Sequence, residues 1–478
     1  MAKLFFTFLF AVVAIYTQGQ NVGIGNNNPT EKLEVTGNVK ADTVKPAALK
    51  LATNAGTGKV LTSDASGNAS WQPTGNTGFG VWGDCATNGN ISEYNPVLDG
   101  TAEVSSNFGL TVAISGNYAI VGAPYDFTST ANLNIGSISF YRFDGTNWQL
   151  MSKRWRSAPQ ADDNFGYSVS ISGDYAVAGI PGYDGSFFQQ GSAIIYKLNA
   201  AGNSWTEFQT ITDAGAAASD NFGKSVSIDG NQLVVGVPND NSSFTTQGSA
   251  VVYEFNGTSW IQKTKLTDIN GAASDNFGTS VSISGNRIAV GAPNDDETTN
   301  ANVGSVCVFE KTGATWLRTD KIQLGSANDE FGRSVSISGN YMAIGIPNRL
   351  VGTNTSQGAI TFLQFDGGGW YNNLSQTLSR SSGAAQDHFG SSVYMSGNYA
   401  LAGIPGDDVG NNLSEGSAML YQRIGNYWQQ QQFITDPSGY QSNDLGSGVS
   451  IDGTTKRFLI GAPGAFSGRG KAIFGKVN

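Results

Sequence analysis

Residues 222–238 read Phe-Gly-Lys-Ser-Val-Ser-Ile-Asp-Gly-Asn-Gln-Leu-Val-Val-Gly-Val-Pro, and close variants of this stretch recur along the chain. The alternation in residues 225–228 has the period of a β-strand. Residues 229–231, Asp-Gly-Asn, are a turn signal, because Gly and Asn tolerate a positive φ. The apolar residues 233–237 predict a second strand, which ends at Pro238 because proline lacks the amide that a sheet needs. The stretch therefore predicts a β-hairpin.

Two further strand signals complete one repeat unit. Residues 239–247 form a polar loop, and residues 248–253, Gly-Ser-Ala-Val-Val-Tyr, predict a third strand. Asn256-Gly257 predicts a two-residue type I′ turn, and residues 260–266 predict a fourth strand. Each unit is therefore expected to be a four-stranded antiparallel meander.

The unit occurs seven times, at steps of 54 to 58 residues. Each copy begins with Phe-Gly or Leu-Gly, at Phe108, Phe165, Phe222, Phe277, Phe331, Phe389 and Leu445. Each copy carries Gly-x-Pro after its second strand signal, ending at Pro124, Pro181, Pro238, Pro293, Pro347, Pro405 and Pro463. A unit that cannot bury its own apolar faces needs its neighbours to cover them. The repeats therefore predict an all-β, seven-bladed β-propeller.

The two ends of the repeat region predict how the ring closes. The seventh copy stops just after its third strand signal, residues 470–474, while an orphan strand signal lies at residues 90–98. In four of the six complete copies a Trp stands 17 residues before the next Phe, and the same count back from Phe108 gives Ile91. We predict that residues 90–98 supply the missing fourth strand. Pro96 is tolerated there because that strand is an edge.

Composition and the first residues limit the class of protein. Of 478 residues only 13% are charged, 63 are Gly, and the net charge is -10. No Lys/Arg cluster occurs, which argues against a nucleic-acid partner. Lys3 and the apolar residues 4–15 predict a secretory signal over residues 1–19, because this run is too short to cross a bilayer. We expect a mature chain without a membrane span, secreted or held at the cell surface.

Residues 20–72 precede a predicted linker, residues 73–89, and the predicted propeller, residues 90–478. Residues 21–25, Asn-Val-Gly-Ile-Gly, and 58–63, Gly-Lys-Val-Leu-Thr-Ser, resemble segments of bacterial and phage tail-fibre or adhesin stalks. That resemblance implies a short β-rich stalk through which the chain forms a homotrimer. The alternative is a flexible linker rich in Gly and Asn.

Phe-Gly followed by Gly-Ala-Pro, as in residues 122–124, 291–293 and 461–463, resembles the FG-GAP repeat family. That family includes the integrin α-subunit propeller and many bacterial surface proteins. The resemblance covers roughly residues 90–478 and implies an extracellular binding or adhesion module. In integrin-like repeats an Asp-x-Asp-x-Asp-Gly loop between the first two strands binds calcium. Here that loop is only Ser-Gly-Asn, Ser-Gly-Asp or Asp-Gly-Asn, which offers too few carboxylates, so calcium is not expected there.

Acidic residues recur in two other places. Five copies carry an Asp two positions before Phe, at Asp163, Asp220, Asp275, Asp329 and Asp387. These carboxylates could attract cations, but their repetition favours a structural role as acceptors for backbone N–H groups. The loops after Gly-x-Pro hold a second set, Asp240, Asp295, Asp296, Asp407 and Asp408. We predict weak Ca²⁺ binding as the alternative to turn formation for this second set, and no other cofactor.

The remaining candidates are aromatic or lone residues. Six Trp residues share one repeat position and predict packing between blades, at Trp148, Trp205, Trp260, Trp316, Trp370 and Trp428. Trp82 and Trp155 fall outside this pattern and are the predicted ligand-contact residues. His388, the only His, stands at a variable loop position, and Cys307 replaces Ile or Val in a strand signal. No catalytic residue is predicted, because no acid–base pair or nucleophile motif surrounds them.

These observations predict a non-enzymatic binding or adhesion module that recognises an extracellular protein or glycan through its variable loops. One alternative is a structural component of an extracellular fibre or matrix, which the stalk and the symmetry of the repeats favour. Another is a propeller enzyme that acts on polysaccharide. Such an enzyme needs an asymmetric group of acid and base residues in one set of loops.

Overall fold

The computed structural model describes residues 22–24, 33–35, 59–63, 69–73, 91–99, 104–127, 134–297, 300–370 and 375–478. The chain separates into two compact units, Met1–Thr57 and Gly58–Asn478. In the first unit, β1 (Val22–Ile24) pairs in parallel with β2 (Leu33–Val35). In the second unit, β3 (Lys59–Ser63) pairs antiparallel with β4 (Ala69–Pro73).

Several sequence predictions fall on or near parts of the chain that the structure does not describe. The predicted signal, residues 1–19, lies wholly outside the described residues, as do Trp82 and Cys85. The predicted linker, residues 73–89, lies outside them apart from Pro73. The predicted stalk, residues 20–72, is described only at β1 to β4 and stays a prediction.

Seven four-stranded antiparallel sheets form the blades of a β-propeller. Blade 1 consists of β6 (Thr111–Ser115), β7 (Tyr118–Ala123), β8 (Ser137–Phe143) and β9 (Trp148–Arg154). Blade 2 consists of β10 (Val169–Ser172), β11 (Tyr175–Ile180), β12 (Ser192–Leu198) and β13 (Trp205–Ile211). Blade 3 consists of β14 (Ser225–Asp229), β15 (Gln232–Val237), β16 (Ser249–Phe255) and β17 (Trp260–Leu266). Blades 4 and 5 are β18 (Ser280–Ser284), β19 (Arg287–Ala292), β20 (Ser305–Thr312), β21 (Thr315–Ile322); and β22 (Ser334–Ser338), β23 (Tyr341–Ile346), β24 (Ala359–Gln364), β25 (Gln376–Leu378). Blades 6 and 7 are β26 (Val393–Ser396), β27 (Tyr399–Ile404), β28 (Ser417–Ile424), β29 (Tyr427–Ile434); and β30 (Gly448–Asp452), β31 (Arg457–Ala462), β32 (Lys471–Val477), β5 (Ile91–Val97).

Blade 7 confirms the predicted closure of the ring. Its fourth strand is β5, which comes from the N-terminal side of the chain and pairs antiparallel with β32. Ile91 is the partner of Val477, as Trp148 is the partner of Phe143 in blade 1, so Ile91 takes the place of the repeated Trp. Pro96 lies opposite Ile473 on the outer edge of the blade. The ring is thus closed by a strand that precedes the first repeat and pairs with the third strand of the seventh repeat.

The hydrophobic core consists of seven clusters, and each cluster straddles two neighbouring blades. The Phe or Leu that begins each repeat is fully or almost fully buried in one of these clusters. The six repeated Trp residues are buried as well, and several stack across the boundary between blades. Trp205 of blade 2 lies 5.0 Å from the ring of Phe140 in blade 1, and Trp148 lies 4.3 Å from Phe474 in blade 7. The prediction that these Trp residues pack between blades is confirmed.

Small residues on the inner strands let the blades converge. The Ser225 hydroxyl donates to the Gly278 carbonyl of the next blade at 2.8 Å, and five other blades repeat this bond with Ser or Thr. Gly236, the Gly of Gly-x-Pro, faces the same carbonyl. A Cβ built on Gly236 would lie 2.0 Å from the Gly278 oxygen, which no side chain tolerates. The Gly-x-Pro motif is therefore explained by the closeness of neighbouring blades.

A second set of hydrogen bonds runs around the whole ring at the turns between first and second strands. In each blade a Gly N–H donates to a side-chain oxygen of the preceding blade. The acceptors are Ser115, Ser172, Asp229, Ser284, Ser338, Ser396 and Asp452. The last of these joins blade 7 to Gly116 of blade 1 at 2.6 Å. These turns therefore hold the blades together, which is a different use from the calcium loop of integrin-like repeats.

One local prediction is wrong. Asn256-Gly257 does not form a two-residue type I′ turn, because Phe255 pairs with Trp260 and four residues connect the strands. Only Gly257 has a positive φ, at 99°. The Asn256 side chain instead accepts hydrogen bonds from the N–H groups of Thr258 and Ser259. The Asn side chain thus caps a longer loop and takes the place of the tight turn.

Candidate functional site

The propeller has two ends, and they differ in the loops they carry. In an antiparallel meander, the loop between the second and third strands lies at the same end as the connection from the fourth strand to the next blade. We call this end the upper face. It comprises the loops from each Gly-x-Pro to the third strand, together with the connections between blades. The opposite end carries the connections between first and second strands and between third and fourth strands, most of which are short.

The loops of the upper face are fastened to one another by backbone hydrogen bonds. The N–H of Ser219, in the connection between blades 2 and 3, donates to the Phe188 carbonyl of blade 2 at 2.8 Å. The N–H of Ser274 donates in the same way to the Thr245 carbonyl of blade 3 at 2.9 Å. Equivalent bonds occur between later blades, for example from Ser442 to Leu413 at 2.9 Å. These bonds fix the backbone of the upper-face loops that contain them, which lowers the entropy lost when a partner binds there.

Exposed large hydrophobic side chains are concentrated on this face. Among the described residues, those on upper-face loops are Leu98, Val104, Trp155, Phe187, Phe188, Phe244, Ile269, Leu324, Leu350, Leu413, Tyr440 and Phe466. The others all lie in strands, at Tyr94, Leu150, Ile261, Leu317 and Ile424. None of the exposed large hydrophobic residues that the structure describes lies in the turns of the opposite end. Concentrated exposed apolar side chains mark a surface for interaction.

Trp155, one of the two predicted ligand-contact residues, lies on the upper face directly after β9. Its side chain is 41% exposed, and the Lys153 ammonium lies 4.8 Å from its ring centroid. The structure thus places Trp155 on the face that carries the other exposed rings. Ligand contact by Trp155 and by Trp82 stays a prediction.

The Asp residues that stand two positions before Phe have the structural role that the sequence favoured. One carboxylate oxygen of each accepts a backbone hydrogen bond from the residue three positions earlier, at 2.5 to 2.7 Å, in Asp163, Asp220, Asp275, Asp329 and Asp387. All five side chains are buried. They hold the connections between blades in place and do not form an open ring of charge.

Burial of these carboxylates gives the protein a testable pH dependence. Burial raises the pKa of Asp275 to about 6, although the hydrogen bond from the Ala272 N–H lowers it. The folded state therefore favours protonated Asp275, and that contribution to stability is lost as the pH rises through about 6. We expect Asp275→Asn to raise the melting temperature near pH 7.5. The gain should shrink as the pH falls through about 6 and should vanish below about 3, where Asp275 is protonated in both the folded and the unfolded state.

Asp329→Asn is the matched control for that experiment. Its carboxylate lies 3.0 Å from the Arg349 guanidinium, so the substitution removes an ion pair. We expect Asp329→Asn to lower the melting temperature near pH 7.5. Melting temperatures of Asp275→Asn and the native protein that coincide at every pH would show that burial of Asp275 carries no cost.

The acidic residues after Gly-x-Pro, predicted as alternative calcium ligands, divide into two groups. Asp240, Asp295 and Asp407 are buried and form ion pairs with Lys265, Lys321 and Arg380. Asp296 and Asp408 are turn formers: each accepts a backbone hydrogen bond within its own loop, from Asn302 at 2.7 Å and from Ser414 at 2.8 Å. In the part of the chain that the structure describes, no group of three or more His, Cys, Asp or Glu is placed to hold a metal ion. Weak Ca²⁺ binding at these loops stays a prediction.

These ion pairs belong to a feature that sequence reasoning missed. Every boundary between neighbouring blades holds a cation paired with a buried carboxylate: Lys153, Arg156, Lys265, Lys321, Arg349, Arg380 and Lys471. At three boundaries a Lys joins two Asp residues. Lys265 lies 2.7 Å from both Asp213 and Asp240, for example. Burial opposes the charge of Lys265, but hydrogen bonds and attraction from both carboxylates outweigh it and raise its pKa.

A signal for these clusters exists in the repeats. Three blades carry a Lys five positions after the repeated Trp, at Lys153, Lys265 and Lys321. Blade 2 has Thr210 at that position, and it also lacks the acidic residue after Gly-x-Pro, where Tyr183 stands. There the cation is Arg156, whose guanidinium lies 4.5 Å from the Tyr183 ring centroid. In blade 2 both charges are thus replaced together, which a comparison of the repeats by position can detect.

Loss of one such cation is expected to destabilise the ring. Lys265→Met leaves Asp213 and Asp240 without their shared partner. We expect it to lower the free energy of unfolding by about 2–3 kcal/mol, less than a fully buried pair costs because Lys265 is partly exposed. Urea denaturation measures this loss. The combined variant Lys265→Met, Asp213→Asn, Asp240→Asn should recover part of the lost free energy of unfolding. A loss below about 0.5 kcal/mol in Lys265→Met alone would contradict a stabilising role for these ion pairs.

The lone His and the described Cys have structural positions. His388 is half-buried with a φ of 56°, and its carbonyl accepts a hydrogen bond from the Ser391 N–H at 3.1 Å. Asn occupies the same left-handed position in blades 1 to 4 at Asn107, Asn164, Asn221 and Asn276, as expected for a residue that tolerates positive φ. Cys307 is fully buried in β20, and burial raises the pKa of its thiol to about 12. Cys307 thus takes the buried strand position that Ile or Val holds in other repeats.

The repeats match a known protein family. The family described as "FG-GAP repeat" matches residues 99–141, 148–196, 205–253, 260–309, 325–360 and 373–421. No curated protein matches the chain. Among solved structures, "Crystal Structure of Mitotic Checkpoint Complex" is similar at a TM-score of 0.47 and 12% identity, over 84% of this chain and 99% of that chain. A likeness this distant supports no functional argument. Among the described residues, no helix is both long and apolar enough to cross a membrane.

Proposed function

Because the chain belongs to the FG-GAP repeat family, we propose that it is an exported, non-enzymatic module whose upper face binds an extracellular protein or glycan. FG-GAP propellers suit an extracellular binding role in general, and the family is typically non-catalytic. On this proposal residues 1–19 direct export, and residues 20–72 form a stalk that presents the propeller as a trimer. Analytical ultracentrifugation of the exported chain tests the trimer.

The observation that carries the proposal is the unequal distribution of exposed apolar side chains. Phe188 is 62% exposed, Phe244 is 54% exposed and Tyr440 is 63% exposed, and all three stand on upper-face loops. Leaving aromatic rings in water has no benefit for folding, because burial of such rings stabilises a protein. Rigid rings on fixed loops lose little conformational entropy when a partner covers them, so this arrangement favours binding.

A screen of the full chain on an array of extracellular-matrix proteins and glycans, with and without a chelator, tests the proposal. We expect specific binding to members of one class. Binding that chelator abolishes would support Ca²⁺ at the loops of Asp240, Asp295, Asp296, Asp407 and Asp408. Binding that chelator leaves unchanged would count against it.

Other results of the same screen would favour the other functions. Absence of binding in both conditions would contradict the proposal and favour a structural component of a fibre or matrix, whose contacts are with its own copies. Shortened glycans on the array after incubation would favour an enzyme that acts on polysaccharide. The screen therefore separates all three functions in one experiment.

A further inference from the structure

A cleft lies on the upper face between the connection from blade 6 to blade 7 and the loop that joins the second and third strands of blade 7. Its volume is about 570 Å³, within the range of small-ligand sites. The exposed residues Tyr440, Gln441, Ser442 and Phe466 line it, together with the buried Asn443. Two exposed aromatic residues and two exposed residues that carry an amide or a hydroxyl group therefore border one cavity.

The cleft lies beside the loop of blade 7, which is the shortest of the seven loops between second and third strands. This loop runs from Pro463 to Gly470, whereas its counterpart in blade 3 runs from Pro238 to Gly248. A single helical turn, α1 (Ala465–Gly468), fills the shorter connection.

Phe466 is held towards solvent by an unusual backbone. Its φ and ψ are 54° and 46°, and those of Ser467 are 62° and 41°, so two consecutive residues are left-handed. A left-handed bulky residue is a true outlier. The conformation is fixed by hydrogen bonds from the Gly468 N–H to the Gly464 carbonyl at 3.0 Å and from the Gly470 N–H to the Ala465 carbonyl at 2.9 Å. As a result the Phe466 ring stays 48% exposed beside the cleft.

The chemistry of the walls favours one class of ligand. Aromatic faces carry partial negative charge and attract the C–H edges of a sugar ring. Amide and hydroxyl groups such as those of Gln441 and Ser442 both donate and accept hydrogen bonds, as sugar hydroxyls do. Both residues are exposed, whereas Asn443 is only 3% exposed and is left out of the set of ligand contacts. None of the residues that line the cleft is charged. The net charge of -10 also disfavours an acidic glycan.

We propose that this cleft is a subsite for a neutral saccharide, whose ring packs against Tyr440 and Phe466 while its hydroxyl groups bond to the side chains of Gln441 and Ser442. The inference rests on the proposed function, because it assigns a ligand class to one part of the same upper face. On this inference, the exposed rings of Phe188 on blade 2 and Phe244 on blade 3 are not needed for saccharide binding.

The test measures the affinity of the full chain for neutral oligosaccharides by calorimetry, with an acidic oligosaccharide and an unrelated peptide as comparison ligands. We expect Tyr440→Ala and Phe466→Gly each to weaken neutral-saccharide binding at least tenfold. Phe466→Gly should leave the melting temperature unchanged or raised, because Gly adopts positive φ without strain. Loss of binding without loss of stability would separate a binding role from a structural one.

The matched control is the pair Phe188→Ala, Phe244→Ala, which removes exposed rings from the same face but away from the cleft. We expect it to bind the saccharide as the native chain does. If Tyr440→Ala still binds the saccharide and this control does not, the saccharide binds elsewhere on the upper face. That result would contradict the cleft as the binding site and would leave the proposed function unchanged. Binding of the peptide at the cleft, or a preference for the acidic oligosaccharide, would contradict a neutral saccharide as the ligand but not the cleft as the site. No binding of any partner by the native chain would contradict both.

Discussion

Removal of residues 73–98 is expected to open the propeller and to make it poorly soluble. This deletion takes away β5, the fourth strand of blade 7, and leaves the backbone groups of β32 without their partners. It also removes Val97, which packs against the cluster between blades 7 and 1. An exposed strand edge pairs readily with other chains, so the product should form oligomers. We expect the melting temperature to fall by roughly 10 °C or more.

A deletion of the same length in the first unit, residues 22–47, is the control. It lies in Met1–Thr57, which forms a compact unit of its own, so the melting of the propeller should not change. Size-exclusion chromatography and calorimetry compare the two variants. A 73–98 deletion that stays monomeric, with the melting temperature of the native chain, would contradict closure by β5.

The second large effect is expected for Phe222→Ala. Phe222 is fully buried in the cluster between blades 2 and 3, and its ring lies 6.1 Å from that of Tyr253. The Gly191–Phe222 bridge also fixes its backbone, so neighbouring chain cannot collapse easily into the space. We expect a loss of about 3–5 kcal/mol in the free energy of unfolding, because the substitution removes buried area and leaves a cavity.

Phe222→Leu is the matched control, since the seventh repeat carries Leu445 at this position and buries it fully. We expect that change to cost about 1 kcal/mol, because Leu fills most of the same volume. Urea denaturation measures both variants. A loss below about 1 kcal/mol for Phe222→Ala, the usual range for a surface change, would contradict its place in the core.

Much of the fold could be predicted because the same strand and turn signals recur in every repeat, so a signal that is ambiguous in one repeat is resolved by the others. Phe-Gly begins six repeats and Leu-Gly the seventh, and the alternating strand and Gly-x-Pro recur in all seven, so blade number, strand order and closure by β5 all follow from the pattern. The Asn256-Gly257 turn could not be predicted as well, because strand register decides loop length, and Trp260 must reach the boundary with blade 2. The packing of Trp260 between blades 2 and 3 therefore outweighed the local preference of Asn-Gly for a two-residue turn.

The candidate site was harder to predict for a related reason. Whether Phe188 or Tyr440 is exposed depends on which end of the ring its loop occupies and on the length of neighbouring loops, which no single repeat reveals. The roles of Asp240 and Asp295 likewise depend on Lys265 and Lys321, which lie far along the chain and meet them only after the blades assemble. A comparison of positions across repeats finds these charges, but it does not find the cleft.

The central claim is that the upper face is the recognition surface. The most direct test compares the dissociation constant of the native chain for its array partner with that of Phe188→Ala, Phe244→Ala, Tyr440→Ala combined. A second triple variant, Leu150→Ala, Ile261→Ala, Leu317→Ala, removes equally exposed side chains from strands. We expect the upper-face variant to bind at least tenfold more weakly and the strand variant to bind as the native chain does. Equal binding by all three proteins, or loss only in the strand variant, would contradict the claim.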